Sequence, residues 1–228
     1  KRQVKDEESI MDKKEIAHMV DHTLLDPCAD WSRISALCNE AVQMEAASVC
    51  IPPCYVKEAK LYLRSYLQSN LPVCTVVGFP NGYMTKGVKF NETLEAIKDG
   101  ADEIDMVINL THVKNGHFDA VLNEIRAVRA ASNGHILKVI IETCYLTEGE
   151  KIKLCEIVTE AGANFIKTST GFGKYGATVE DVRLLREHVG ANVKVKAAGG
   201  IKTIEDAVAM IEAGAERLGA SSLLAQLR

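Results

Sequence analysis

Eight short β-rich runs, spaced almost evenly along the chain and separated by amphipathic stretches, restrict the fold more than any other feature of this sequence. The runs are Met19–Leu25, Ser48–Ile51, Val73–Phe79, Glu103–Asn109, Ile136–Glu142, Asn164–Thr170, Val193–Ala198 and Arg217–Ala220. Their starts recur at roughly 23 to 33 residues, the length of one strand plus one helix and its loops. The stretches between them carry helical periodicity and helix-end signals. Thr147 precedes Glu150 by three residues ahead of a run that Gly162 stops, and Thr203 and Asp206 open another that Gly214 closes. Further helices are expected over Ser32–Glu45, Val56–Gln68, Lys86–Lys98, Phe118–Ala131 and Val179–Glu187. Alternating βα units favour a parallel sheet covered by helices. Eight of them favour closure into a single-domain TIM (β/α)8 barrel, with an open doubly wound sheet as the alternative that apolar runs alone do not exclude.

The 228 residues suffice for one such core, so the whole of 1–228 reads as one domain. Residues 1–15 are charged and read as a short, loose or helical N-terminal extension without the apolar segment of a signal peptide. No stretch approaches the eighteen or so apolar residues of a bilayer span. The net charge is −4 with both signs interspersed, which excludes the basic stripe of a nucleic-acid binder. Seven cysteines, an odd number mostly inside apolar runs, indicate buried thiols in a reducing, cytoplasmic setting. Cys50 and Cys54 flank Pro52 and Pro53 and have no second pair of matching spacing, so a zinc site is not expected.

In such a barrel, chemistry collects at the C-terminal ends of the strands. Three ionisable residues lie inside β-type runs there: Asp105 in the fourth, Lys167 in the sixth and Lys196 in the seventh. Alternate residues of each strand face the interior, so all three are able to project inward. An ammonium is costly to bury, and a second one beside Lys167 would disfavour its protonation further. A neutral lysine amine attacks an aldehyde to give a carbinolamine and then a Schiff base, and a carboxylate such as Asp105 would move the protons. The plainer readings are that Asp105 is an ion-pair partner, and that Lys194, which shares the parity of Lys196, leaves one of the two to extend toward the other rim.

A second constellation is suited to phosphate. Lys167 is followed by Thr168-Ser169-Thr170-Gly171, the seventh run by Gly199-Gly200-Ile201-Lys202-Thr203, and the eighth by Gly219-Ala220-Ser221-Ser222. Barrels often build an anion site from the last two loops and a short final helix, here expected over Ser221–Leu227.

Several strings then coincide with one family. Val20-Asp21-His22-Thr23-Leu24-Leu25, Thr75-Val76-Val77-Gly78-Phe79-Pro80, Glu103–Asn109, Leu137–Thr143 and the Lys167 and Lys196 segments resemble deoxyribose-phosphate aldolases, in order from about Val20 to the last residues. The resemblance implies a class I aldolase on a TIM barrel, free of metal and cofactor, interconverting 2-deoxy-D-ribose 5-phosphate with acetaldehyde and D-glyceraldehyde 3-phosphate. It assigns Lys167 to the Schiff base, Lys196 to its perturbation and Asp105 to proton transfer. Phosphate binding falls to Gly171, Gly199, Gly200, Lys202, Gly219, Ser221 and Ser222, with Cys50, Lys138 and Thr170 as accessory candidates. Cys50 matches a cysteine trapped by aldehyde adducts in some members, and equally reads as a small buried hydrophobe. Two departures stand out. Asp26 replaces a frequent lysine at the rim, and the sequence given stops before the tyrosine-bearing C-terminal tail of some relatives; were the protein to lack that tail, solvent or Asp105 would have to deprotonate the imine carbon. The implied partners are a small phosphosugar, aldehydes and further copies of the chain in a homodimer or higher homo-oligomer. The competing functions are another Schiff-base phosphosugar lyase and a non-catalytic phosphosugar-binding barrel.

Overall fold

The structure, a computed structural model, describes residues 11–228. Eight parallel strands close into a barrel: β1 (Val20–Thr23), β2 (Ser48–Ile51), β3 (Val73–Val77), β4 (Glu103–Val107), β5 (Ile136–Ile140), β6 (Phe165–Lys167), β7 (Lys194–Ala198) and β8 (Arg217–Ala220). Each strand pairs with the next, and β8 returns to β1 through Leu218 opposite Val20 and Ala220 opposite His22. Closure therefore replaces the open-sheet alternative and leaves no edge strand. The helices are α1 (Lys13–Ala17), α2 (Trp31–Gln43), α3 (Val56–Leu61), α4 (Lys86–Asp99), α5 (Leu110–Lys114), α6 (Phe118–Ala131), α7 (Glu148–Glu160), α8 (Val179–His188), α9 (Ile204–Glu212) and α10 (Leu223–Leu227). Among the described residues no helix is long and apolar enough to cross a membrane.

Side-chain parity divides each strand between two environments. On β4, Ile104 and Met106 join the main apolar cluster packed under the helices, whereas Glu103 and Asp105 bond across the barrel interior. Val139 of β5, Ile166 of β6 and Val195 of β7 belong to the same outer cluster. Each such side chain stabilises the fold by roughly 1.5–3 kcal/mol when fully buried. Because the sheet is covered outside, the interior is free to be polar, and the site occupies that freedom.

Helix starts follow the chemistry read from the sequence. Thr147 with Glu150 and Thr203 with Asp206 form reciprocal capping boxes at α7 and α9. Three elements differ from expectation. The stretch Val56–Gln68 is α3 followed by a wider π-type turn at Tyr62–Tyr66, where Tyr62 and Tyr66 stack with centroids 5.0 Å apart. Helix α5 was not signalled, and α10 starts at Leu223 rather than Ser221. Of the expected extension over 1–15, residues 1–10 lie outside the described residues. Lys13–Glu15 are helical in α1, whose next residues Ile16 and Ala17 are buried and which packs beside α10.

Candidate active site

Strand register carries the ionisable residues of the barrel into one buried network. Asp105 stands opposite Lys138, Lys167 opposite Lys196 and Lys196 opposite Arg217 on successive strands. Asp105 joins three ammonium groups. Its Oδ1 accepts from Lys138 Nζ at 2.8 Å, and its Oδ2 from both Lys167 Nζ and Lys196 Nζ at 2.7 Å. Lys196 also donates to Asp21 Oδ2. Lys138 reaches Glu103 Oε2 at 2.5 Å and lies 3.5 Å from Asp21 Oδ2. Arg217 donates to Asp21 Oδ1 at 2.6 Å and to Glu103 Oε2 at 3.1 Å, and Ser48 Oγ to Asp21 Oδ1 at 2.7 Å.

Burial opposes every charge in this cluster, and the direction of each pKa shows which interaction wins. Burial raises the Asp105 pKa, yet Lys138, Lys167 and Lys196 together outweigh it and hold the group well below the usual carboxylate range. Asp21 is likewise lowered against its burial by Lys138, Lys196 and Arg217. Burial lowers Lys138 and Lys196, but the carboxylates around them prevail, so both stay above the ordinary lysine value as fixed ammonium groups. Contact with carboxylates distinguishes the lysines further. Lys138 touches three and Lys196 two, while Lys167 touches Asp105 alone.

Lys167, at 3% exposure, is also the one that meets open space. It lines a cavity of about 410 Å³ at the C-terminal face of the barrel. Gly171, Gly199, Gly200, Lys202, Gly219, Ser221 and Ser222 all line this cavity, together with Thr170, Phe172 and Leu25. The glycine loops are there for a steric reason. Gly199 has φ +83°, and a Cβ on Gly176 would come within 2.1 Å of the Gly199 carbonyl oxygen, so two backbones pass closer than side chains permit. Phe79 and Phe172 meet edge to face at 5.3 Å, joining the loops after β3 and β6.

The remaining expected residues lie below the cavity. Asp105, Lys138 and Lys196 are fully buried beneath Lys167, and Lys194, exposed and 3.5 Å from Glu216, is the lysine that extends to the other rim. Cys50 is buried in a small cluster with Cys74 and Val76, against which Leu25 and Phe79 pack. Asp26 pairs with Arg33 at 2.8 Å on the rim. All seven cysteines are unpaired thiols. Cys50, Cys74 and Asp105, or Asp21, Cys74 and Glu103, approach closely enough to ligate a metal. Lysine and arginine nitrogens already engage those carboxylates, an arrangement that suits ammonium groups better than a metal cation.

Residues to which the sequence reading gave no role complete the site. Asp21, Glu103 and Arg217 form the lower layer of the network, and Cys74 donates to Asp105 Oδ1 at 3.1 Å. The available signal was alternation, since Glu103 and Asp105 share a parity within one run. Glu142, just past β5, stands at the end of its run and was likewise given no role. Its backbone is left-handed at φ 55°, ψ 66°, a conformation costing a non-glycine residue roughly 1–2 kcal/mol. Its buried carboxylate accepts from Thr170 N at 3.2 Å and from Thr170 Oγ1. Burial lifts the Glu142 pKa, against the opposing effects of the Thr170 donors and the Lys167 charge.

Comparison with known proteins agrees with this geometry. The family model described as DeoC/LacD family aldolase matches residues 13–228. The deoxyribose-phosphate aldolase of Clostridioides difficile strain 630 is 56% identical over 210 residues, covering 92% of this chain and 94% of its own. That of Streptococcus pyogenes serotype M4 is 55% identical over 214 residues, 94% of each chain. The tetrameric deoxyribose phosphate aldolase of Aeropyrum pernix superposes with a TM-score of 0.86 at 31% identity, covering 94% of this chain and 90% of that one. With a buried lysine opening onto a cavity at the C-terminal face of a closed barrel, and with matches of this extent, the chain belongs to the DeoC/LacD aldolase family.

Proposed function

We propose that this protein is a class I aldolase that reversibly cleaves 2-deoxy-D-ribose 5-phosphate to D-glyceraldehyde 3-phosphate and acetaldehyde. The observation that carries the reading is the composition of one cavity, lined both by Lys167 and by Gly171, Gly199, Gly200, Ser221 and Ser222. An aldehyde and a phosphate at opposite ends of a five-carbon chain are thus served by the same space. Leu25 and Phe172 add apolar lining.

In the cleavage direction the free amine of Lys167 adds to the C1 carbonyl, and the carbinolamine loses water to give an iminium ion. Removal of the C3 hydroxyl proton lets the C2–C3 electron pair move into the iminium. The aldehyde D-glyceraldehyde 3-phosphate leaves, and an enamine remains on Lys167. Protonation of that enamine at C2 and hydrolysis of the imine release acetaldehyde and regenerate the amine. Asp105, 2.7 Å from Lys167 Nζ, is the group positioned to pass these protons, directly or through water. Its low pKa suits brief relay rather than a long-lived protonated state. Lys196 remains an ammonium held by Asp21 and Asp105 and keeps positive charge beside the nitrogen that becomes the iminium. The phosphate is held by backbone N–H groups of the glycine loops, by the hydroxyls of Ser221 and Ser222, and by Lys202.

The same reading places the enzyme in the cytoplasm, supported by its seven unpaired thiols, and in a homodimer or higher homo-oligomer, supported by the tetramer of the Aeropyrum pernix relative. The test is reductive trapping. Borohydride added with acetaldehyde should place a two-carbon group on the peptide containing Lys167, and an unmodified Lys167 would overturn the mechanism.

A further inference from the structure

Glu142 is a buried carboxylate that touches no cation among the described residues, in contrast to the three carboxylates of the barrel network. Its surroundings show what it does instead. The flanking residues are fixed by backbone bonds to β6 and its extension: Ile141 N donates to the Lys167 carbonyl at 3.0 Å and Thr143 N to the Thr168 carbonyl at 2.9 Å. The left-handed turn between these two anchors aims the Glu142 side chain at the next residues of the same neighbouring segment. There it accepts from Thr170 N and from the Thr170 hydroxyl, whose oxygen in turn accepts from Phe172 N at 3.0 Å.

The loop beyond is shaped around this carboxylate. A Cβ on Gly173 would lie 2.7 Å from Cys144 Sγ and 3.1 Å from the Glu142 carboxyl, so the chain can lie this close only as glycine. Farther along, the same loop packs on the turn after β7. A Cβ on Gly199 would meet Gly176 Cα at 3.0 Å and Gly171 Cα at 3.4 Å, and Ala177 N donates to the Ala198 and Gly199 carbonyls at 3.0 Å each. The loop thus has one end gripped by Glu142 and the other laid against the glycine turn that lines the cavity.

We propose that Glu142 is a positioning residue for the phosphate end of the site: by holding Thr170 through its backbone N–H and hydroxyl, it fixes the loop that sets Gly171 and Gly176 against Gly199. The amine chemistry at Lys167 does not pass through it. The inference rests on the assignment of the glycine loops to phosphate made above. It adds a residue that lies outside those loops and need not touch the substrate.

The test is the affinity of the purified enzyme for inorganic phosphate, measured by titration calorimetry, alongside trapping of acetaldehyde on Lys167. Glu142→Ala should weaken phosphate binding by about fivefold or more while Lys167 is still trapped. Glu142→Gln keeps an acceptor oxygen for Thr170 and should recover most of that loss. Gly173→Ala presses on the same contact from the loop side, so it should weaken phosphate binding in the same way, and it serves should Glu142→Ala fail to fold. Unchanged phosphate affinity in a folded Glu142→Ala or Gly173→Ala variant would overturn the proposal, as would equal losses for Glu142→Gln and Glu142→Ala. An enzyme that binds phosphate but does not cleave 2-deoxy-D-ribose 5-phosphate would overturn the aldolase reading and leave this one standing. A wild type without measurable phosphate affinity would overturn this one.

Discussion

Lys89 and Lys167 are both buried lysines, and the difference between them shows what makes an amine available. Lys89, on α4, is wholly enclosed between helix and barrel, where Nζ donates to Glu124 Oε1 and to the Val107 carbonyl at 2.7 Å each. Burial lowers its pKa and outweighs the opposing effects of Glu124 and, more weakly, Glu92. Glu124 is occupied further by Asn109 N at 3.0 Å, so the pair joins α4, α6 and the end of β4. Gly78 is packed so closely against it that a Cβ there would lie 2.6 Å from Lys89 Cε. Lys167 also has one carboxylate, but that carboxylate is shared with two other ammonium groups, and the amine faces a cavity. Burial alone therefore does not make a lysine reactive. On the proposed mechanism, a shared counter-ion and an open face do.

The same substitution at each lysine tests the contrast most sharply. Lys167→Met should lower turnover on the order of 10⁴-fold or more, since no imine forms without the amine. Its stability should change little, because Asp105 keeps Lys138 and Lys196 as partners. Lys89→Met strands Glu124 without its ion-pair partner, and removal of one member of a buried pair costs about 3–5 kcal/mol. Chemical denaturation should show that loss, with the folded fraction retaining normal turnover. Equal effects of the two substitutions on stability would erase the distinction.

Much of this was legible in the sequence, for identifiable reasons. Strands covered on both sides must be nearly continuous apolar runs, so an ionisable residue inside one, such as Asp105 or Lys167, stands out. The glycine loops after β6, β7 and β8 stood out because close backbone approach has few other solutions. Lys89 did not, because a lysine on an amphipathic helix reads as solvated until the neighbouring β4 carbonyl and α6 carboxylate are placed. Asp21 lies within β1 and Arg217 at the start of β8, and only barrel register brings them together. The role of Glu142 depends on a left-handed backbone at a non-glycine residue, which no local pattern announces. Lys196 was read as a second ammonium beside Lys167, and its neighbours Asp21 and Asp105, invisible as a pair in the sequence, hold it above the ordinary lysine value.

Acid should separate the barrel network from the Lys89 pair. The folded pKa values of Asp21 and Asp105 lie below those of the unfolded chain. Carboxylates of this kind contribute stability that is present above about pH 4 and lost as the pH falls toward the folded values. Melting temperature should therefore be nearly level from about pH 5 to 7 and fall below about pH 4. In Asp21→Asn, a less stable protein overall, the acid slope should be shallower, because one group that takes up a proton on unfolding is gone. An unchanged slope would show that the Asp21 charge is not what the lysines and Arg217 hold in the fold.

The smallest effect is expected at an exposed serine of the cavity. Ser222 lies in the loop between β8 and α10, lines the cavity and is exposed, so its hydroxyl contributes to the substrate rather than to the core. A hydrogen bond to a charged group is worth about 1.5–3 kcal/mol, and exposure places Ser222→Ala near the lower end, roughly a tenfold rise in KM for 2-deoxy-D-ribose 5-phosphate. Turnover of unphosphorylated 2-deoxy-D-ribose should be unaffected, because that substrate has no anion for the hydroxyl to meet. Steady-state kinetics on the two sugars gives the answer. A loss of equal size on both would move Ser222 from phosphate binding to the general shape of the cavity, and the division of that space into an amine end and an anion end would have to be redrawn.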